Sequence, residues 1–387
     1  MKRSIVLLWA VSALLVSCTT KNDTSAIPIQ DAESMMFLDE MSGGRTYVLL
    51  QESSIDAVVN DIDKVMVDDG KLFIQHNPSS SGSYHEEPAE ISVFDMDGHF
   101  LNKISRKGRA RNEYVNIVAW CLDTRKKEVV IVDGAFTVMK RYKYDGTFVS
   151  SVNLEGYVPM WDVMFAGGKL YANMLMPNNA ADDIIELKDD GTFIPLMTPR
   201  ENMKEMGPFS GGGGIGATPQ MIDPELESFY HLRLFDNVLY RIQDDKVQSC
   251  GTFDFITPVE EDEKEFYMSL DLLNSRPSET YETGTRFIIK TYEVNSDRMV
   301  TGLVHYVYDK STKKCTRYRA EYKENVGMIM SRFNIVGFTG DVIITRATPD
   351  GAKYILKNAA DKVPQSDLEM LKVLAERENE ALIFHHP

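Results

Sequence analysis

The chain has 387 residues, of which 43% are hydrophobic, so it is long and apolar enough to bury a sizeable core. Its formal net charge of -16 argues against nucleic acid as a partner, because phosphate contacts dominate that affinity. The same charge disfavours adsorption on an anionic membrane surface. These bulk properties predict an acidic, globular protein.

The first eighteen residues predict an export signal. Lys2 and Arg3 precede an apolar run over 5–16, which is too short to cross a bilayer as a helix. The run ends in Leu15-Val16-Ser17-Cys18, which resembles the lipobox of bacterial lipoproteins. That resemblance implies cleavage after residue 17 and attachment of fatty acids such as palmitate to Cys18. Two or more acyl chains give a stable membrane anchor, whereas one chain binds only marginally. An ordinary secretory signal and a retained membrane helix are the alternatives.

Residues 18–33 are polar and small, and they predict a flexible tether between the lipidated cysteine and a folded body over 34–387. Thr19, rather than Asp, follows the cysteine, which favours the outer membrane over retention in an inner membrane. Lys21-Asn22-Asp23 loosely resembles the charged signal that sends lipoproteins of Bacteroides-like bacteria to the cell surface. The expected location is the cell envelope, on the periplasmic face or at the cell surface.

The sequence of the body predicts repeated β-hairpins. Asp97-Gly98, Asp145-Gly146 and Asp190-Gly191 each stand between two strand-like runs, and these residue types tolerate the positive φ of a two-residue turn. Weaker copies occur at the following dipeptides: Asp245-Lys246, Asp309-Lys310 and Asp350-Gly351. A further short apolar strand precedes each hairpin over these ranges: 71–74, 128–132, 169–171, 229–232, 287–289 and 342–344.

The first three turns lie 48 and 45 residues apart, which is the period of a four-stranded propeller blade. At that period residues 45–360 hold about six or seven blades, and insertions between strands favour six, so we predict an all-β, six-bladed β-propeller. A β-sandwich rarely needs over 300 residues, and a βαβ fold needs helical crossovers that the short connections lack.

Two segments depart from the repeat. Residues 260–273 can form an amphipathic helix, and 365–380 predict a helix that begins at Ser366, with Glu369 at capping-box spacing. Ala381–Phe384 resembles a last strand. Either that strand or residues 46–50 can close the propeller by completing a blade.

Three cysteines remain after Cys18, without a C-x-x-C pair or nearby histidines, so no zinc site is predicted. Cys121 lies in an apolar run and is expected to be a buried thiol. Cys250 and Cys315 can each be free or can pair as one disulfide. No cofactor is predicted.

Residues 91–114 carry a family resemblance: an F-D-x-D-G hairpin, then Arg106-Lys107-Gly108, then Glu113-Tyr114. With the helix and strand at 365–384, this resembles the six-bladed propeller lipoproteins abundant in Bacteroides-like gut bacteria, a family largely without known activity. Its members usually carry glycines where this chain has Ala110 and Asn112, so the backbone there is expected to differ.

The candidate ligand-binding loop contains Arg106, Lys107, Arg109 and Arg111 in an otherwise acidic chain. These cations can bind an anion or an acidic sugar at one mouth of the propeller. They can equally be a solvated loop that Glu113 and its neighbours neutralise.

Other motifs are less informative. Gly211–Gly214 lacks the Lys-Ser/Thr of a phosphate-binding loop and is expected to be a flexible loop or lid. Five aromatic residues suit either a sugar platform or packing between blades, namely Trp120, Tyr157, Trp161, Phe165 and Tyr171. His385 and His386 can bind a metal or belong to a frayed terminus.

The absence of a catalytic or metal-binding motif favours a binding or scaffold module for a glycan, peptide or protein partner. The alternative is a channel-centred, metal-dependent hydrolase of the lactonase or esterase kind, or a polysaccharide lyase. The hydrolase would hold calcium in the central channel through oxygen ligands from residues such as Asp133, Asp162, Asn173 and Glu293.

Overall fold

The computed structural model describes most of the body. The described residues are 23–33, 38, 43–77, 89–104, 108–133, 137–154, 160–174, 184–197, 220–233, 236–256, 274, 276–297, 299–321, 335–358, 360 and 364–387. Several sequence predictions lie outside them: the signal peptide, Cys18, Arg106, Lys107, Tyr157, the glycine run at 211–214 and the helix at 260–273.

The described chain is almost entirely β-structure. Its strands are β1 (Asp23–Ala26), β2 (Ile29–Asp31), β3 (Gly44–Leu49), β4 (Ile62–Asp68), β5 (Lys71–His76), β6 (Glu90–Asp95), β7 (Phe100–Lys103), β8 (Ile117–Asp123), β9 (Glu128–Asp133), β10 (Val138–Lys143), β11 (Phe148–Asn153), β12 (Met160–Ala166) and β13 (Lys169–Met174). They continue as β14 (Ile184–Leu187), β15 (Phe193–Pro195), β16 (Gln220–Ile222), β17 (Phe229–Leu232), β18 (Val238–Gln243), β19 (Lys246–Thr252), β20 (Glu279–Glu282), β21 (Arg286–Val294), β22 (Val300–Asp309), β23 (Lys314–Glu321), β24 (Ile335–Thr339), β25 (Val342–Ala347) and β26 (Ala381–His386). The two α-helices are α1 (Pro349–Asn358) and α2 (Gln365–Ala375).

The strands form five sheets, in the orders β1-β19-β18-β17, β11-β10-β9-β8, β12-β13-β14-β15, β16-β20-β21-β22-β23-β2 and β3-β26-β25-β24-β4-β5-β6-β7. Strands that follow one another in a sheet pair antiparallel, whereas β24 with β4, and β16 with β20, pair parallel. Successive antiparallel sheets whose first strands lie side by side and parallel are the arrangement of a β-propeller. The prediction of an all-β propeller fold is therefore confirmed.

Both candidate closing segments are used. Strand β26 pairs with β25 on one side and with β3 on the other, so the first and last parts of the body share one sheet. The closing sheet thus needs residues that are more than 300 positions apart in the sequence, as Leu49↔Ala381 illustrates.

The Asp-Gly hairpins have a different turn from the one predicted. Gly98, Gly146 and Gly191 have φ near +86°, +84° and +88°, but the preceding aspartates do not have positive φ. Gly98 N–H donates to the Asp95 carbonyl (3.1 Å), and Asp95 N–H donates to the His99 carbonyl (2.9 Å). This is a type I turn followed by a left-handed glycine, the common longer hairpin connection, rather than a two-residue turn.

Two details of the C-terminal prediction are wrong. Asp350-Gly351 is not a hairpin turn but the first turn of α1, because Pro349 suits the first helical position and Thr348 Oγ1 accepts a hydrogen bond from Gly351 N–H (3.0 Å). Ser366 is not the cap of α2, which begins one residue earlier behind Pro364 and has no side-chain cap.

The predicted tether is too long. Within 18–33, β1 pairs parallel with β19 and β2 pairs parallel with β23. Between them, Ile27 N–H donates to the Thr252 carbonyl (2.8 Å), and its side chain is buried among residues of both sheets. The free outer edges of two sheets bind this segment by strand addition, which its polar composition did not reveal.

Connections alternate between the two ends of the sheets because neighbouring strands are antiparallel. At one end they are short turns of two to six residues, from 69–70 to 223–228. At the other end, strands end and begin on either side of much longer stretches of sequence, including 77–89, 196–219, 253–278 and 348–380. We call this second end the long-connection face. Long connections on a rigid scaffold are where binding residues concentrate.

The core lies between the sheets. Trp120, Phe165 and Tyr171 are buried there, so these three aromatic residues pack rather than form an exposed platform. Cys121 is buried as expected, and Cys250 and Cys315 are free thiols, not a disulfide. In the part of the chain that is described, no helix is long and apolar enough to span a membrane.

Candidate functional site

The candidate ligand-binding loop, called the arginine loop from here on, is the connection from β7 to β8 on the long-connection face and is described from Gly108 onward. Gly108 N–H donates to the Tyr114 carbonyl (2.9 Å), and the Glu113 side chain folds back to accept from Ala110 N–H (2.9 Å). A Cβ on Gly108, whose φ is +155°, would lie only 1.9 Å from the Glu113 carboxylate. The retained glycine is therefore required, whereas Ala110 does not have a positive φ. Asn112 likewise does not have one.

The base of this loop is held from below. Lys140 of β10 donates to the carbonyls of Arg111 (3.4 Å) and Glu113, and forms an ion pair with Asp133 (3.5 Å). Asp133 also accepts from the backbone N–H groups of residues 115 and 116. One of the proposed calcium ligands is thus a loop brace.

The exposed side chains of the loop are Arg109 and Arg111. Among the described residues, no carboxylate forms an ion pair with either of them, and Glu113 is engaged with the backbone instead. The structure therefore presents two cations to solvent in a chain whose net charge is -16.

A second group of polar residues lies on the inner strands near the same end. Lys64 of β4 is buried, and its ammonium donates to the Trp120 carbonyl (3.0 Å), faces Asp162 of β12 (3.5 Å) and lies 5.6 Å from the Trp120 ring. Burial raises the pKa of Asp162, while Lys64 and the Gln220 N–H oppose that shift. Although protein surrounds this carboxylate, 19% of its side chain still reaches solvent.

Gln220 connects this ion pair to a buried histidine. Its backbone N–H donates to Asp162 (3.0 Å), its side-chain amide nitrogen donates to the Tyr230 carbonyl, and its amide oxygen faces Nδ1 of His231 at 3.1 Å. Burial lowers the pKa of His231 to about 3, with Arg233 adding to the shift, so the imidazole is neutral at physiological pH. We call Lys64, Asp162, Gln220 and His231 the inner polar cluster.

The proposed calcium ligands do not meet at one site. Asp162 and Asn173 are cross-strand partners in β12 and β13, so their side chains share one face of that sheet. Asp133 braces the arginine loop, and Glu293 forms an ion pair with Arg319 in another sheet (2.7 Å).

Within the described ranges, the only set of three acidic, His or Cys donors close enough to share an ion is Asp95, Asp97 and His99. These residues shape a hairpin: Asp95 Oδ1 accepts from the backbone N–H groups of the other two, and its Oδ2 faces the His99 ring (3.0 Å). His385 and His386 belong to β26, where they face Thr345 and Thr46 respectively.

The sequence did not single out Lys64, Gln220 or the role of His231. A lysine beside the apolar residues Val65–Val67 is a signal for Lys64, because an inner strand buries such a residue only with a partner. No comparable local signal marks Gln220, which precedes a three-residue strand.

A family model, "Domain of unknown function (DUF4934)", matches residues 38–386 of the chain. The chain belongs to the DUF4934 family. None of the curated proteins matches it. Membership thus establishes kinship across the whole body without assigning an activity.

Two solved structures show the same fold as this DUF4934 protein. A Bacteroides fragilis protein inferred to be exported is 15% identical, with a TM-score of 0.66, and the match covers 92% of this chain and 98% of that one. A member of the duf4221 family from Bacteroides vulgatus is 9% identical, with a TM-score of 0.53, and the match covers 88% and 95% of the two chains. At such identities the likeness concerns the fold alone.

Proposed function

We propose that this protein is an exported lipoprotein that binds an anionic glycan, peptide or protein segment at its long-connection face. The observation that carries the proposal is the braced loop that holds Arg109 and Arg111 in solvent without a described acidic partner. Fixed cations bind carboxylate and sulfate groups through charge-assisted hydrogen bonds.

The location of the loop supports this proposal. The connection 104–116 leaves β7 and enters β8 at the end of the sheets that also carries 196–219 and 253–278. The opposite end has only short turns and offers little adaptable surface. Lys140 holds the backbone of the loop from beneath, so that backbone needs little ordering when a ligand binds.

The test measures binding of labelled oligogalacturonate and of a heparin oligosaccharide to the chain from residue 19 onward. We expect R109S/R111S to weaken binding about tenfold, and added salt to weaken the wild type more than the variant, because charged contacts are screened. The control K246S/K314S removes two exposed cations from turns at the opposite end and is expected to bind like the wild type. Equal losses in both variants, or no binding by the wild type, would refute the arginine loop as the site.

We also propose lipid attachment at Cys18 and residence in the outer membrane. The lipobox-like run supports this anchor, and the B. fragilis protein inferred to be exported adds support for export. Labelled palmitate should enter the full chain but not C18A, and C18A should leave the membrane fraction; C250A is the matched control. Membrane-bound, labelled C18A would contradict the proposal.

We infer a closure of six blades. The first strands of the blades are β4, β8, β12, β16, β20 and β24, and the eight-stranded sheet is two blades joined by the parallel pair β24–β4. The strand count and the repeat period support the same number.

A further inference from the structure

His231 has a hydrogen-bond acceptor without a donor. Gln220 donates its side-chain nitrogen to the Tyr230 carbonyl, so its oxygen faces His231 and accepts from Nδ1–H. This arrangement makes Nε2 the unprotonated nitrogen of a neutral ring. Nε2 is buried and, within the described part of the protein, has no hydrogen-bond partner, while the residue is only 4% exposed. Leaving such a buried acceptor unsatisfied costs free energy, so an occupant that donates a hydrogen bond would be favoured.

The contacts of neighbouring residues show where this acceptor lies. Tyr171 of β13 packs against Phe229 of β17, with ring centroids 5.0 Å apart. Side chains two positions apart on a strand share a face, so Asn173 and His231 project into the same space between the two sheets. Asp162 joins them there as the cross-strand partner of Asn173.

We propose that the inner polar cluster binds a neutral ligand rich in hydroxyl groups, such as a monosaccharide unit, with His231 Nε2 and Asp162 each accepting a hydrogen bond from it. Gln220 contacts Asp162 through its backbone N–H and the Nδ1 atom of His231 through its side chain, so the two residues that supply the acceptors flank one glutamine. The neutral imidazole and the Lys64-paired carboxylate leave little net charge for an ionic ligand, and both offer lone pairs to donors. This site is separate from the arginine loop and does not depend on it.

Access is available from the long-connection face. The exposed fifth of the Asp162 side chain reaches solvent near the start of β12. A hydroxyl-bearing ligand arriving from solvent would meet Asp162 before the more deeply buried His231.

The experiment measures binding of D-glucose, D-galactose, D-mannose and glycerol, by ligand-observed NMR, to the chain from residue 19 onward. H231N keeps a donor where Nδ1 stands but deletes Nε2, whereas H231Q places an amide near the position of Nε2. We expect at least one probe to bind the wild type, binding to fall about five- to tenfold in H231N and D162N, and H231Q to retain part of it. Thermal unfolding of each variant checks that it is folded.

The variant R109S/R111S separates the two proposals, because it is expected to bind these neutral probes as the wild type does. If none of the four probes binds the wild type, the His231 Nε2 acceptor is not part of a ligand site, and the inference is overturned. Undiminished binding by folded H231N would overturn it as well. Neither result would affect the test with acidic oligosaccharides.

Discussion

Asn379 is expected to be the polar residue on which the closure of the propeller most depends. It is fully buried just before β26, at the point where the connection 50–61 passes from the closing sheet to β4. Its side-chain oxygen accepts from Val59 N–H (2.9 Å), and its amide nitrogen donates to the carbonyls of Ala57 (2.8 Å) and Gln51 (3.2 Å). Substitution by alanine removes all of these bonds at once.

The expected loss can be worked out from these groups. Asn379→Ala leaves at least one buried N–H and one buried carbonyl unsatisfied, at about 1–3 kcal/mol each, so we expect the free energy of unfolding to fall by about 4 kcal/mol. For a chain of this size that lowers the melting temperature by roughly 4–8 °C. N379D keeps the acceptor for Val59 but points a second oxygen at carbonyls, so it should be at least as harmful.

The assay is urea unfolding followed by tryptophan fluorescence and circular dichroism. The matched control is N295A: Asn295 accepts from two backbone N–H groups in an exposed turn, at 3.0 and 2.9 Å, where water can replace it. We expect the control to lose less than about 1 kcal/mol. If N379A is within about 1 kcal/mol of the wild type, the reasoning about this junction is refuted.

Three further predictions concern the segment of β1 and β2, a buried carboxyl group and the thiols. I27A should lower the free energy of unfolding by about 2–4 kcal/mol because Ile27 is buried between two sheets, whereas I55A at an exposed site should leave it unchanged. Equal stability of the two variants would favour the flexible tether instead. Burial raises the pKa of Glu282 to about 7, so the folded chain keeps a proton that the unfolded chain has lost above about pH 4.5. The free energy of unfolding should therefore fall by about 1–3 kcal/mol as the pH rises from 4.5 to 7. Urea titrations of E282Q should show a smaller dependence on pH. In a thiol-labelling assay, Cys250 should react in the folded state, while the buried Cys315, whose pKa burial raises to about 12, should react only on unfolding; simultaneous labelling would contradict the described burial.

The tether shows why local composition misleads. Strands β1 and β2 consist mostly of polar residues, yet their backbone groups pair with the edges of β19 and β23. Backbone pairing has little side-chain signature, so only the neighbouring edges reveal it. The prediction of a hairpin turn at Asp350-Gly351 was wrong for the opposite reason. The Asp-Gly motif is local, but Thr348 and Pro349 start a helix at the same place.

Sequence by itself determined most strands of the body, the positions of most turns between them and the propeller repeat, because alternation of apolar residues and glycine-bearing turns are local properties. It also predicted the strand at 381–384 and the exposed arginines of the 108–114 loop. Only the tertiary structure decided that β3 and β26 share a sheet and that Asp162 and Asn173 meet while Asp133 and Glu293 lie elsewhere. It alone brought Lys64, Gln220 and His231 together, because contacts between strands from different sheets depend on how the sheets pack and leave no pattern in the local sequence.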